Sequence, residues 1–320
     1  MNKHDFEKYR YITYLDEVIN YSFGGVCFHS IVSISMPKID YISVLEEKWR
    51  QLRKDFDVPD GVCLHFTDIK ALLNPTYFNR KLSKRNKSIE DIFCTNNLLD
   101  KEKLNNFYTE VLKIIEETDF DVIVTGKRFT KLSEDKHKLI RNYENSKWYV
   151  LFTDHLDSLA KYMLNKSYDK YKKNKSKNKK LKILKTKLRY DGDYGLVSRD
   201  DFRNAYAHII SNGTRNYSRE LAKECFDNLK FVDKNEVGLC TICEKNCDIK
   251  RMSHAGNELL DFIAFYISNL KCKDDMINDY MSFMGKSKTQ ANNYYDKNTK
   301  IYIEGNYMYP NTKIKKKLVW

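Results

Sequence analysis

The chain has 320 residues, 42% of them hydrophobic and 13% aromatic, which is enough for a sizeable core and excludes a disordered protein. No apolar run reaches the roughly 18 residues of a membrane span, and the N-terminal residues lack the apolar core of a signal peptide, so we expect a cytoplasmic protein whose eight cysteines are reduced. The formal net charge of +13 favours a polyanionic partner such as nucleic acid, although an AT-rich genome produces the same excess of Lys, Asn, Ile and Tyr without selection for binding.

The first half of the chain is predicted to alternate strands and helices. Period-two alternation of apolar residues indicates strands, and apolar residues three and four apart indicate helices. The predicted elements are a β-hairpin over residues 10–36, helices over 40–56 and 101–117, a helix or structured loop from His65 to Leu73, a buried strand over 121–126, and a long helix over 139–164.

The second half continues the alternation after a low-complexity stretch from Lys161 to Lys187. Ser198-Arg199-Asp200-Asp201 is typical of a capping box that begins a helix. The predicted elements are strands over 181–191, 228–233 and 300–303, with helices over 198–210 and 258–270. Strands that alternate with helices predict an α/β layer fold, and the opening hairpin makes its sheet mixed.

Carboxylates stand at the edges of several apolar runs, where an ionised group is costly unless another group neutralises it. Carboxylates that meet in one place repel each other, and a hard divalent cation such as Mg²⁺ or Mn²⁺ is the usual remedy. The pattern therefore predicts a metal-dependent phosphoryl-transfer site. Its candidate residues are Asp16, Glu17, His65, Asp68, Asp191, Glu258 and Asp261.

Simpler structural interpretations compete with this one. Asp16 would also suit a turn within the hairpin, and Asp191 begins an Asp-Gly turn signal. Asp261 lies in a strongly apolar predicted helix, where the alternative is a buried ion pair with Lys or Arg. Glu258 shares its helix face, whereas Glu17 points away from Asp16 if the strand continues.

His65 and Asp68 are three residues apart, so one helical turn would point both side chains the same way. His65 could act as a general base, contact a phosphate or orient another group. A satisfied, partly buried histidine is the alternative.

A cluster near residue 245 has the spacing of a zinc site. Cys240, Cys243, Cys247 and His254 could hold Zn²⁺ through three thiolates and an imidazole. No second pair of cysteines with this spacing accompanies them, so unliganded cysteines in a loop are the alternative.

Two groups of basic residues are candidates for contacts with nucleic acid. Lys127 and Arg128 follow the predicted strand over 121–126, and Lys172 and Lys173 lie in a Lys-rich stretch over 165–180. We expect that stretch to be an exposed, mobile insertion. It either grips phosphates or is a solvated loop without a function.

In order and context, the segments Tyr14-Leu15-Asp16-Glu17 and Glu258-Leu259-Leu260-Asp261 resemble the domain-of-unknown-function 3800 family over roughly residues 10–270. In that family an Asp-Glu pair ends the first strand, and a late strand, here Phe231-Val232-Asp233, precedes a helix with Gln-x-x-Asp. Glu258 stands here in place of the Gln, and Val18-Ile19 replace the Ser-Gly that follows the acidic pair. The positions of His65, Asp68 and Asp191 are similar to the middle polar positions of the family.

The resemblance implies a ribonuclease H-like fold, with a mixed β-sheet flanked by α-helices. It also implies a nuclease in which Asp16, Asp191 and Asp261 bind one or two Mg²⁺ or Mn²⁺ ions, while Glu17 or Glu258 assists and His65 transfers a proton. Residues 1–273 would form this domain, with insertions at 165–180 and 238–254, and residues 274–320 a C-terminal extension. The alternatives are a non-catalytic nucleic-acid-binding or interaction module with the same fold, and an enzyme that hydrolyses another phosphate ester.

Overall fold

The structure is a computed structural model. It describes residues 10–59, 61–130, 147–173, 181–191, 197–232, 255–299, 301–303, 306–308, 314 and 316–319. The strands are β1 (Arg10–Phe23), β2 (Val26–Pro37), β3 (Cys94–Thr95), β4 (Leu98–Leu99), β5 (Asp121–Thr130), β6 (Lys185–Asp191), β7 (Phe226–Val232), β8 (Ile301–Ile303), β9 (Asn306–Met308) and β10 (Leu318–Val319).

Helices cover both sides of the main sheet. Two short pieces, an α-turn (Lys38–Asp40) and a π-turn (Tyr41–Leu45), lead into the first long helix. The helices are α1 (Glu46–Asp55), α2 (Phe66–Ala71), α3 (Lys87–Phe93), α4 (Lys101–Glu117), α5 (Lys147–Lys173), α6 (Val197–Asn212), α7 (Arg219–Cys225), α8 (Ala255–Met284) and α9 (Lys288–Thr299). None of the described helices is both long and apolar enough to cross a bilayer.

The main sheet has six strands in the order β10-β5-β2-β1-β6-β7. β2 is antiparallel to both β1 and β5, whereas β6 is parallel to β1 and β7 is parallel to β6. The two-residue β10 extends the β5 edge in parallel. This is a mixed sheet flanked by helices, which confirms the predicted α/β layer fold.

A tight turn at Gly24 and Gly25 joins β1 to β2. Both glycines have positive φ angles, +60° and +76°, which only glycine adopts without strain. A Cβ on Gly24 would also lie 2.3 Å from the Cβ of Phe283, near the end of α8. The two glycines therefore fix both the turn and its contact with the helix.

The two faces of β1 belong to different hydrophobic cores. Ile12, Tyr14 and Val18 pack in the core that contains the first half of α8. Leu15 packs with Tyr190 of β6 and with helices α5 and α6 in the other core. Because side chains alternate along a strand, the parity of a residue number in β1 tells which helical layer it faces, up to the register irregularity between Ile19 and Tyr21.

Each predicted element has a counterpart among the described residues, but the bounds differ. Residues 139–146 of the predicted long helix lie outside the described residues, and the strand predicted over 181–191 begins at Lys185. Other elements run further than predicted. β1 continues through Asp16 to Phe23, so Asp16 lies in mid-strand and does not begin a turn. α5 includes residues 165–173, so this part of the Lys-rich stretch is helical and not a mobile insertion, while 174–180 lie outside the described residues. α8 extends to Met284, and the expected boundary at residue 273 falls inside it.

Segments near the C-terminus also belong to the main layers. Ile314 is fully buried in the core beside α8, and β10 pairs with β5. Ile314 and β10, both within the expected extension, therefore contribute to the main sheet and its core.

His155 is a buried base on α5 that faces the sheet. Its Nε2 lies 2.9 Å from Ser33 Oγ and its Nδ1 lies 3.1 Å from Thr125 Oγ1. Burial lowers its pKa from 6.5 to about 3. Below pH 6.5 the unfolded chain therefore takes up a proton that the folded protein excludes. The free energy of unfolding consequently decreases as the pH is lowered from 6.5 toward 3.

We expect His155→Gln to weaken this acid sensitivity. In the wild type, His155 contributes a loss of up to about 1.4 kcal/mol in the free energy of unfolding for each pH unit below 6.5. Glutamine cannot titrate, so the free energy of unfolding of the variant protein should fall less steeply from pH 6.5 to pH 4. Urea unfolding across that range measures both slopes. Equal slopes would show that His155 is not the responsible group.

Candidate active site

Asp16 lies in the interior of β1, on the face that α8 covers. It is opposite Val32 of β2 in the antiparallel register, and its side chain is partly exposed. Its neighbours of the same parity, Tyr14 and Val18, are buried in the core beside α8. A carboxylate in that position is surrounded by apolar side chains on its own strand, so it requires polar or cationic partners from elsewhere.

Glu17 faces the opposite layer. Its carboxylate accepts a hydrogen bond from the hydroxyl group of Tyr190, which packs in the core beside α5. This confirms that adjacent Asp16 and Glu17 point to different sides of the sheet. Glu17 therefore does not join the carboxylates of the α8 layer.

Asp191 is the last residue of β6, which runs parallel to β1. The last pair in their register is Leu15 with Tyr190. Asp16 and Asp191 each follow directly, so their backbones lie side by side, with adjacent strands about 4.8 Å apart. The sheet thus brings together two acidic positions that are 175 residues apart in sequence.

Helix α8 crosses the sheet in the direction in which β1 runs. At its start, a Cβ on Gly256 would lie 2.2 Å from the ring of Tyr14, so the helix backbone touches that ring. Three turns later the hydroxyl group of Ser268 bonds that of Ser30, which pairs with Val18. Between these contacts, α8 passes over the part of β1 that contains Asp16.

Asp261 lies on this stretch of α8. It precedes Ser268 by seven residues, which is about two helical turns, so both side chains project from nearly the same face. Asp261 therefore belongs to the stretch of α8 between the contact of Gly256 with Tyr14 and the contact of Ser268 with Ser30. This is the stretch of α8 that runs along the part of β1 containing Asp16.

Asp261 is also tied to the start of α2. Its Oδ2 accepts a 2.7 Å hydrogen bond from the backbone N–H of Phe66 and lies 3.3 Å from Nδ1 of His65. The Asp261 side chain is 16% exposed and that of His65 is 35% exposed. The structure thus brings together two of the candidate residues, His65 and Asp261, which are 196 residues apart in sequence.

Glu258 has a different environment, although it is only three residues away. Its carboxylate accepts hydrogen bonds from Trp49 Nε1 at 2.5 Å, from Arg53 Nη1 at 3.0 Å and from the Leu64 backbone N–H at 3.0 Å. Glu258 and Arg53 are both almost completely buried. The buried ion pair that was the alternative for Asp261 is formed by Glu258, whose two carboxylate oxygens both accept hydrogen bonds from these protein donors.

Asp68 also differs from the prediction. Its Oδ2 accepts a 2.8 Å hydrogen bond from Nδ2 of Asn86, the residue that caps α3. This contact joins α2 to α3. We assign Asp68 to the support of α2, not to the group that contains Asp16 and Asp261.

Asn257 is a polar residue that the sequence did not single out. It is only 1% exposed, and within the described part of the chain neither its Oδ1 nor its Nδ2 has a hydrogen-bond partner. It stands one helical turn before Asp261, close to the same face. An unpartnered buried amide is costly by about 1–3 kcal/mol, so Asn257 is a candidate to contact a ligand beside Asp261.

The basic candidates on β5 are committed to protein partners. Arg128 donates to both carboxylate oxygens of Asp279, at 3.0 and 2.7 Å, and Tyr21 donates to the same carboxylate at 2.6 Å. Lys127 Nζ lies 3.9 Å from Asp154 Oδ2. We therefore regard Arg128 as part of the attachment of α8 to the sheet, and Lys127 as a surface residue.

The basic candidates on α5 lie at its C-terminal end. Lys172 Nζ is 4.4 Å from the centroid of the Tyr168 ring, and Lys173 is the last helical residue. Both are exposed. They present positive charge to solvent from a regular helix.

The predicted metal sites depend partly on residues that the structure does not describe. Among the described side chains, no group of three or more His, Cys, Asp or Glu residues is arranged to hold a metal ion. The structure describes the backbone of Asp191 but not its side chain, and the predicted zinc ligands Cys240, Cys243, Cys247 and His254 lie outside the described residues. The oxygens of Asp16, Asp261 and Asn257 are of the type that Mg²⁺ and Mn²⁺ prefer, so the donor set fits such an ion.

Five described cysteines, at positions 27, 63, 94, 225 and 272, carry free thiols. Burial raises the pKa values of the Cys225 and Cys272 thiols to about 12, so both are protonated at neutral pH. These two cysteines pack as small apolar residues.

Comparisons of the chain with protein-family models, with curated proteins and with solved structures found no match in any of the three.

Proposed function

We propose that the chain is a divalent-metal-dependent nuclease with a ribonuclease H-like fold. The observation that carries this proposal is the placement of Asp16 and Asp191, far apart in sequence, at neighbouring positions of parallel strands, with Asp261 on the helix that covers β1. Asp16 and Asp191 are side by side on parallel strands, and α8 carries Asp261 across the same part of β1. Carboxylates that lie close together repel each other, and a bound divalent cation would relieve that repulsion.

The topology supports the fold in this proposal. The five long strands have the order β5-β2-β1-β6-β7, with three antiparallel strands followed by two parallel ones. A ribonuclease H-like fold places one acid on the first strand, one in mid-chain and one on a late helix. Asp16, Asp191 and Asp261 occupy β1, the end of β6 and α8.

The chemistry would divide between the ion and the protein. A bound Mg²⁺ or Mn²⁺ ion supplies a water of lowered pKa and neutralises charge that develops on the phosphodiester. Asp16 and Asp261 would hold the ion from the strand and from the helix. Asn257 would add an uncharged oxygen or donate a hydrogen bond to a phosphate oxygen.

His65 is the residue that we expect to move a proton. Asp261 holds its Nδ1, which fixes the orientation of the ring as a carboxylate does in other catalytic histidines. The side chain is one-third exposed, and we propose that Nε2 is the atom that meets the substrate. Protonated at Nε2, it would donate to the leaving oxygen.

The test is a cleavage assay on labelled single- and double-stranded DNA and RNA with Mg²⁺, with Mn²⁺ or with EDTA. We expect cleavage of one of these polymers that EDTA abolishes and added metal restores. Isothermal titration with Mn²⁺ should show binding without substrate. Polymer binding that persists in EDTA, with no cleavage under any condition, would replace this proposal with the non-catalytic module.

A further inference from the structure

A cavity of about 320 Å³ opens between α6 and the edge strand β7, and it is strongly basic. Its lining residues are Arg199, Arg203, Tyr206, Leu229, Lys230 and Phe231. Three of these six side chains are cationic and none is acidic. A cavity with this lining favours an anionic ligand.

The two arginines are held by an aromatic ring. The guanidinium carbon of Arg199 lies 4.6 Å from the centroid of Phe231, and that of Arg203 lies 5.2 Å from it. Stacking on a ring restrains the orientation of the guanidinium plane. Less side-chain freedom is then lost when an anion binds.

The ion pair that Arg203 makes beside this cavity is weak. Arg203 Nη1 lies 3.7 Å from Asp200 Oδ1, and the two side chains are 55% and 65% exposed. An exposed pair at that distance is screened by salt, so Arg203 keeps most of its attraction for another anion. Lys230 stands beside it on β7 and adds a second point charge.

The cavity lies at the same level of the sheet as Asp16 and Asp191. Phe231 pairs with Tyr190 of β6, and Tyr190 pairs with Leu15, the residue before Asp16. The distance from β1 to β7 is two strand spacings, or about 10 Å. The cavity faces the α6 layer, so a ligand that reaches both places passes around the end of β6.

We infer that this cavity binds a phosphate group of the nucleic-acid strand that flanks the phosphodiester to be cut. The inference rests on the proposed nuclease function. Guanidinium groups bind phosphate oxygens in pairs, and a nucleic-acid strand supplies phosphates at regular spacing on both sides of its cleavage point. The cavity would hold the strand in register while the carboxylates act on it.

The test compares two double variants that each remove two positive charges. Arg203→Gln/Lys230→Gln alters the cavity, and Arg50→Gln/Lys113→Gln alters exposed positions on α1 and α4. Binding of a labelled oligonucleotide is measured by fluorescence anisotropy in EDTA over a series of salt concentrations. We expect the cavity variant to weaken binding about tenfold or more, and to lower the slope of log K against log salt by about one to two. The control should change binding less than threefold.

Equal losses in the two double variants would overturn the inference, because the effect would then be one of net charge. An unchanged salt slope in the cavity variant would overturn it as well. Circular dichroism establishes whether each variant is folded. If the cavity double variant is unfolded, the same measurements are made on Lys230→Gln alone, which changes a partly exposed position on the edge strand. Inorganic phosphate should compete with the oligonucleotide only at millimolar concentration. Complete displacement of the oligonucleotide at micromolar phosphate would identify free phosphate as the ligand and would overturn the assignment of a nucleic-acid strand.

Failure of the nuclease proposal would look different. A wild type that never cleaves, but whose binding in EDTA still depends on the cavity, would overturn the catalytic proposal and keep the phosphate site. A wild type that cleaves, with KM and binding unaffected in the cavity variant, would keep the nuclease and overturn the site.

Discussion

Asp16→Asn is expected to abolish metal-dependent cleavage while the protein stays folded. Asparagine keeps the size of the side chain and removes the charge that would bind the cation. Loss of a metal ligand removes several kcal/mol of transition-state stabilisation, so the rate should fall by about 1000-fold or more. Asp16 is partly exposed, and the pairing of β1 with its neighbours uses the backbone and not this side chain. The melting temperature of the Asp16→Asn protein should therefore change little.

Two variants make this result specific. Glu17→Gln changes the next carboxylate on the same strand, which faces the opposite layer and bonds Tyr190. We expect it to retain cleavage within about tenfold, because the proposed metal site lies on the side of the sheet that faces α8. Glu110→Gln, on the exposed side of α4, controls for a single lost charge. Full activity in Asp16→Asn, with Mn²⁺ affinity unchanged in titration, would remove Asp16 from the site.

The local patterns of the sequence predicted much of the architecture. Alternation over residues 10–36 predicted the hairpin, and apolar spacing predicted α4 at its observed bounds. These signals are local, because a strand or a helix imposes its period on consecutive residues. The same signals placed Asp16 near a strand end, since the polar pair Asp16-Glu17 interrupts the apolar alternation that the backbone nevertheless continues.

Partnerships between distant residues could not be predicted in this way. Glu258 and Asp261 both lie in one apolar stretch, and either could have formed the buried ion pair. The choice depends on where α1 and the start of α2 pack, and therefore on contacts across about 200 residues of sequence. The unpartnered amide of Asn257 left no sequence signal beyond a polar residue in the first turn of an apolar helix.

Glu258→Gln is expected to destabilise the protein more than Asp16→Asn, Glu17→Gln or His155→Gln. The substitution leaves Arg53 buried, 4% exposed, without its negative partner. Breaking a buried pair from one side costs about 3–5 kcal/mol. For a chain of this size that is a fall in melting temperature of roughly 5–10 °C. Thermal unfolding followed by circular dichroism measures it.

An exposed pair gives the matched control. Lys48 Nζ lies 2.6 Å from Glu117 Oε2, and these side chains are 34% and 46% exposed, so Glu117→Gln should cost less than about 1 kcal/mol. The double variant Arg53→Met/Glu258→Gln should lose less unfolding free energy than the sum of the losses in the two single variants, because it leaves no uncompensated charge in the core. A Glu258→Gln protein with wild-type stability but no cleavage would reverse the assignment, and Glu258 would then be a ligand of the metal beside Asp261.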